Sequence, residues 1–186
     1  MSLAAAAGVA RLARFRADGL AAFDASAVGL LNALAPWVAF ALVGCLLALA
    51  AGTPRAALEG LLGSLVALLA PPVLSQALAQ LWGRAANWPR YAVAATWCQW
   101  VMPPALLAAV LASGVLMAMG MPQTAAETLA GLAMLVYALA LHVFLAWRGL
   151  ALALWRAVVL VVVVQVGTAT LTLGPLLLAG VWGDGG

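Results

Sequence analysis

Five long apolar runs, over about 25–51, 54–82, 91–119, 124–147 and 155–182, leave this chain little choice of solvent. Wound as a helix at about 1.5 Å per residue, each is long enough to cross a hydrocarbon layer about 30 Å thick. A soluble domain would interrupt such runs with charge, yet only 7% of the residues are charged and the mean hydropathy is +1.17. Barrel strands would alternate in polarity instead. The expected fold class is therefore an all-α integral membrane protein, a five-helix transmembrane bundle over 25–182, with residues 1–24 ahead of it and 183–186 as a short tail. The opening is read as retained rather than cleaved, because Arg residues extend to Arg16 and the run that follows is long enough to span.

The second and third runs carry the most irregular chemistry. Pro71-Pro72 precedes the turn 83–90 and Pro103-Pro104 follows it. Both pairs fall about 16–18 Å from that turn, near the middle of the layer. A proline lacks the N–H that a helix needs and crowds the carbonyl four residues back. The carbonyls of Ala67, Leu68, Gln99 and Trp100 are therefore freed, and helices 2 and 3 are expected to be Pro-Pro-broken and to face each other at one depth. Gln76 and Gln80 lie at i, i+4 behind Pro72, and Thr96 and Gln99 at i, i+3 before Pro103. These form a polar stripe on each side of the hairpin. It is either a clamp that satisfies the freed carbonyls or the lining of a cavity. Tyr137, Gln165 and Thr168, with Thr172 a turn further on, fall at similar depth and extend the polar layer into the fourth and fifth spans.

Arginine placement gives an orientation. With the N-terminus inside, Arg11, Arg14, Arg16, Arg84, Arg90, Arg148 and Arg156 share the inner face and Arg55 alone the outer. Trp82, Trp88, Tyr91, Trp147 and Trp155 gather at the same inner level, as an interfacial aromatic belt does. The expected topology is N-terminus cytoplasmic and C-terminus outside. Residues 2–23 place Arg11, Arg14 and Arg16 against Leu12, Phe15, Leu20 and Phe23, a basic amphipathic pattern suited to the headgroup layer. Arg84, Arg90, Arg148 and Arg156 are candidate lipid-headgroup contacts, although positive-inside placement alone would produce them.

Catalytic patterns are missing. The sequence has no Ser-His-Asp set, paired carboxylates, HExxH or glycine-rich phosphate loop, so an enzyme is not expected. His142 is the single histidine, which excludes a paired-His haem or a His-rich zinc site, and no metal or cofactor is expected. Cys45 and Cys98 lie in different spans at opposite depths, too far apart to pair. Glu59 is read as a carboxylate near the positive end of a helix dipole, and Thr124 with Glu127 as a capping box. Eight Arg and no Lys are too few for a nucleic-acid footprint.

The segments Gly19-Leu20-Ala21-Ala22-Phe23-Asp24-Ala25-Ser26, Gly83-Arg84, Trp88-Pro89-Arg90-Tyr91 and Ala94-Ala95-Thr96-Trp97 resemble a family of small bacterial inner-membrane proteins. That family is loosely similar to the YIP-type five-span proteins. The resemblance implies five spans, a cytoplasmic N-terminus and residence in the bacterial inner membrane, and it supplies no catalytic residues. Thr96 departs from it by standing where such proteins have Asn. The function expected from all of this is a non-enzymatic multi-pass protein acting through contacts with membrane lipids, other membrane proteins or its own copies. The alternatives are a small transporter or channel along the Pro-broken hairpin and an accessory subunit of a membrane complex.

Overall fold

The computed structural model describes residues 3–183, with side chains through Gly174. The described residues are helical, without a strand: α1 (Leu3–Leu12), α2 (Ala27–Ala50), α3 (Pro54–Leu81), α4 (Trp88–Cys98), α5 (Met102–Ala118), α6 (Gln123–Gly149) and α7 (Leu154–Gly183), with short 3₁₀ turns at Ala17–Ala22, Ala85–Asn87 and Gln99–Val101. Among them, α2, α3, the segment Ala85–Ala118, α6 and α7 are the five helices long and apolar enough to cross a membrane. Their outer faces bear Phe40, Leu47, Val73, Leu111, Val136 and Val166 in the open. An apolar surface of that extent is the kind that meets a membrane or another protein rather than water.

Span ends follow local chemistry. Ser26 caps α2 by accepting from the Gly29 amide at 3.0 Å. At the other end of the hairpin, Gly83 adopts φ +66°, which a residue without Cβ does at no steric cost. The Arg84 and Gly83 amides then close α3 onto the carbonyls of Ala79 and Gln80 at 2.7 and 3.0 Å, a Schellman arrangement. Thr53, at the N-cap position of α3 ahead of Pro54, caps no amide, and its hydroxyl donates back to the Ala48 carbonyl. The capping box expected at Thr124 and Glu127 does not form. Helix α6 begins at Gln123 behind an extended Pro122, so Thr124 is already inside it and Glu127 instead accepts from Gln123 Nε2 at 2.7 Å. Glu59 pairs with Arg55 one turn back at 2.7 Å, both exposed.

The two proline pairs act differently. The second span, expected to break at Pro71-Pro72, is one continuous helix. A proline ring holds φ near −65°, which is helical, so loss of two donors need not end the helix when both residues keep that conformation. The third span is divided instead: α4 tightens into the 3₁₀ turn Gln99–Val101, and α5 restarts with Pro103 in its first turn, where a proline costs no bond. The two halves also have different surroundings. Most of α4 is buried, with Val93, Ala94 and Cys98 almost inaccessible, and it packs on α1, α2, α3 and α6. Past the turn α5 lies chiefly along α6, and Ser113 is its one buried residue.

Residues 3–23 do not lie apart from the bundle. Helix α1 and the turn Ala17–Ala22 form a hairpin whose Leu12 is fully buried, together with Val9 and Phe23. The Tyr137 hydroxyl donates to the Ala13 carbonyl at 2.9 Å, and the Phe15 ring meets Tyr137 and Phe144 edge-on at 5.9 and 5.6 Å. The apolar face is thus spent on protein, and Arg11, Arg14 and Arg16 remain exposed. Arg16 pairs with Asp18 at 3.0 Å.

Candidate functional site: a chamber within the bundle

All five spans contribute to one cavity of about 570 Å³. Helix α2 supplies Trp37, and α3 supplies Ala67, Pro71, Pro72 and Ser75. From the third span come Tyr91, Ala92, Ala95, Thr96, Gln99, Met102, Pro103 and Leu106, while α6 gives Met134 and His142 and α7 gives Val164, Gln165 and Thr168. Counted along their helices from the end that carries Trp82 and Trp147, Tyr91 lies about 5 Å deep, His142 about 10 Å, Gln99 and Gln165 about 16 Å, and Thr168 about 21 Å. The chamber therefore runs from near that end to past the middle of the spans. Its volume falls in the range of small-molecule sites, roughly 300–1,000 Å³.

Several expected residues meet here and several do not. Thr96, Gln99, Gln165 and Thr168 line the chamber beside Pro71, Pro72 and Pro103. Gln76 and Gln80 are exposed on the outside of α3, and Ser75 takes the inward place. A helix turns 100° per residue, so Ser75, four residues after Pro71, faces inward while its neighbour Gln76 is carried out of the wall. Pro104 is exposed and lies outside the lining. Tyr137 is likewise no part of a mid-span polar layer, because its hydroxyl is engaged by Ala13. Cys45 and Cys98 are both free thiols. Changing Gln76 and Gln80 together to Leu is expected to leave unfolding in detergent within about 0.5 kcal/mol of the parent, as surface changes do. A larger loss in a thermal-shift measurement would put those amides inside the fold.

The chamber walls carry no Arg, Asp or Glu, so its polarity comes from hydroxyl, amide, indole and imidazole groups. Ser75 is satisfied: it accepts from Trp88 Nε1 at 3.1 Å and donates to the Pro72 carbonyl at 3.0 Å. Thr96 donates to the Ala92 carbonyl at 2.8 Å. His142 Nδ1 stands 2.7 Å from the Ala138 carbonyl. A carbonyl only accepts, so Nδ1 carries the hydrogen and, in the neutral ring, Nε2 is left as an acceptor. Two groups of the lining residues are unmatched, Trp37 Nε1 and Thr168 Oγ1, as is Trp100 Nε1 on the ring packed against Trp37; all three are shut off from solvent with no partner among the described residues. No three His, Cys, Asp or Glu side chains of the described residues come together as metal ligands.

A smaller cavity of about 300 Å³ shares Trp37, Ala67 and Gln99 with the first and adds Phe40, Ala41, Ser64 and Leu68. The Trp37 and Trp100 rings stack at 5.1 Å, with Phe40 against both at 6.3 and 5.9 Å. An aromatic cluster thus stands beside the shared wall. At the basic end, Arg148 lies over the Trp147 ring at 4.0 Å and Arg156 over Trp155 and Trp82 at 5.2 and 5.9 Å. Arg90 lines a small crevice with Asn87 and Gly149, so the turn 82–90 and the α6–α7 connection meet there. Arg84 is exposed on the same turn.

Sequence reasoning passed over Trp37, Ser75, Tyr91, Met102, Met134 and His142 as chamber residues. Spacing from Pro71 was the one signal that could have found Ser75. Comparison of the chain with protein families, curated proteins and solved structures finds no match.

Proposed function

We propose that this chain is a multi-pass membrane protein that admits a small molecule into the chamber between its spans, as a small transporter or channel does. The observation that carries this reading is the cavity of about 570 Å³ walled by every span, with Thr96, Gln99 and Gln165 on its surface. A clamp would leave the Gln99 and Gln165 amides bonded to backbone and no space between them. A neighbouring cavity shares Trp37, Ala67 and Gln99 with it. The mechanism is binding and gating without bond-making chemistry. Its setting is the bacterial inner membrane with the N-terminus cytoplasmic, on the Arg asymmetry and the family resemblance, so the chamber's Tyr91 end faces the cytoplasm.

A second reading, lipid contact at the cytoplasmic rim, draws on Arg148 and Arg156 held against Trp rings. Arg84 and Arg90 would add headgroup contacts there.

Water access separates a chamber from a dry seam. In a Cys45→Ala, Cys98→Ala background, Ala95→Cys sits in the chamber wall and Leu62→Cys on the lipid face. A charged, membrane-impermeant thiol reagent applied to both sides of proteoliposomes is expected to modify Ala95→Cys and spare Leu62→Cys. If Ala95→Cys reacts only after denaturation, the transport reading falls.

A further inference from the structure

We infer that the chamber selects an uncharged ligand bearing a hydrogen-bond acceptor, such as a ketone or other carbonyl on an apolar or aromatic body, and that Thr168 and Trp37 are its donors. This rests on the reading of the chamber as a binding space and names what that space prefers.

Three observations lead to it. The first is the absence of Arg, Asp and Glu from the walls. An ion placed about halfway through the spans would have no counter-charge there, and desolvating it would cost several kcal/mol. A neutral guest meets no such cost. The second is the state of Thr168. Helical threonines in apolar surroundings return their hydroxyl to the carbonyl one turn back, and Thr96, Thr128, Thr170 and Thr172 all do so at 2.7–2.9 Å. Thr168 does not, although its hydroxyl is buried. The third is Trp37, an indole N–H that can only donate, also buried without an acceptor and on a residue that α2 adds to the lining.

A buried donor without an acceptor is costly, by about 1–3 kcal/mol each, and native proteins hold few of them. Of the three such groups among the described residues, two belong to residues that line one cavity, and a guest there would supply their missing acceptors. Both atoms lie behind the cavity surface, so Thr168 about Cα–Cβ and the Trp37 ring, packed against Trp100 and Phe40, turn toward the guest when it binds. His142 Nε2 adds one acceptor, so a ligand hydroxyl or N–H has a place as well. The remaining walls, among them Met102, Met134 and Val164, are apolar and take the body of the molecule.

Benzophenone is a suitable probe, because it is neutral, carries one carbonyl between two rings, and on near-ultraviolet irradiation attaches to C–H bonds beside it. Diphenylmethane has the same outline without the carbonyl, and 4-benzoylbenzoate and a trimethylammonium-methyl benzophenone supply the two charges. With the full chain in nanodiscs, benzophenone is expected to label chamber residues such as Met102 and Met134. Diphenylmethane and both charged analogues should compete at least threefold more weakly than the parent ketone. Thr168→Val, which matches the shape, is expected to weaken benzophenone about three- to tenfold, as loss of one hydrogen bond does, leave diphenylmethane unchanged, and raise the unfolding temperature of the ligand-free protein. A merely structural hydroxyl would not shift those readouts in opposite directions. Competition by a charged analogue as strong as by the ketone, or equal loss of ketone and hydrocarbon in Thr168→Val, would overturn the inference while leaving the chamber in place. If benzophenone attaches to no chamber residue, the reading of the chamber as a binding space fails with it.

Discussion

Replacing Pro103 and Pro104 together by Ala is expected to close the chamber. As built, α4 ends in a 3₁₀ turn and α5 restarts with Pro103 in its first turn, and the second half of the third span packs chiefly along α6. Ala restores both N–H donors and is the best helix former, so each exchange favours an unbroken α-helix, by about 3 kcal/mol where the proline would otherwise lie inside it. An unbroken α-helix would shift the rotation and rise of the second half relative to α4, because a 3₁₀ turn advances about 120° and about 2 Å per residue against about 100° and about 1.5 Å, and the cavity lining would be re-aimed with it. The measurement is the rate at which the impermeant reagent modifies Ala95→Cys, expected to drop by about tenfold or more, since the favoured helix would leave the open form a minor state. Thermal stability should hold or rise. An unchanged rate would mean that packing against α6, and not the prolines, sets the direction of α5. The double change Pro71→Ala, Pro72→Ala is the control: α3 is already continuous, so its effect on labelling should be small.

Gly19→Val is expected to detach the N-terminal hairpin. A Cβ at Gly19 would stand 2.6 Å from the Gly8 carbonyl oxygen and 2.9 Å from Leu12 Cγ. The nearer atom is backbone, which cannot swing aside, so α1 and the turn after it must separate. Overpacking of this kind costs about 1–3 kcal/mol, and separation also uncovers Leu12 and Val9. Hydrogen exchange over residues 3–22 and cleavage there by trypsin at Arg11, Arg14 or Arg16 should both rise sharply. Ala21→Val, on the exposed side of the same turn, should do neither. Equal protection in the two variants would show that Gly19 is not a packing contact.

How far the sequence reached differs from element to element. The five runs predicted their helices to within a few residues, because span length and apolarity are local quantities that the bilayer reads directly. The observed α2, Ala27–Ala50, and α3, Pro54–Leu81, lie inside the expected 25–51 and 54–82. Part of the chamber was legible as well, since Thr96 and Gln99 were picked out by their i, i+3 spacing before Pro103, and Gln165 and Thr168 as uncharged polar residues near the middle of their span. Gln76, Gln80 and Tyr137 were chosen on the same two grounds and face elsewhere. Depth fixes how far along a span a residue lies but not which way it points.

That direction was the contribution of tertiary structure. In a soluble helix an apolar stripe marks the inner face, because water stands on the other side. Here both sides are apolar, so no stripe separates core from surface. Ser75 rather than Gln76 in the chamber wall, the continuity of α3 through its prolines, and the folding of α1 against Tyr137 are settled by contacts between residues distant in sequence. The sequence by itself determined the solvent, the number of long apolar helices and the levels of their polar residues. Only packing decided which of those residues share a space, because in a medium as oily as the interior, shape fit alone distinguishes inside from outside.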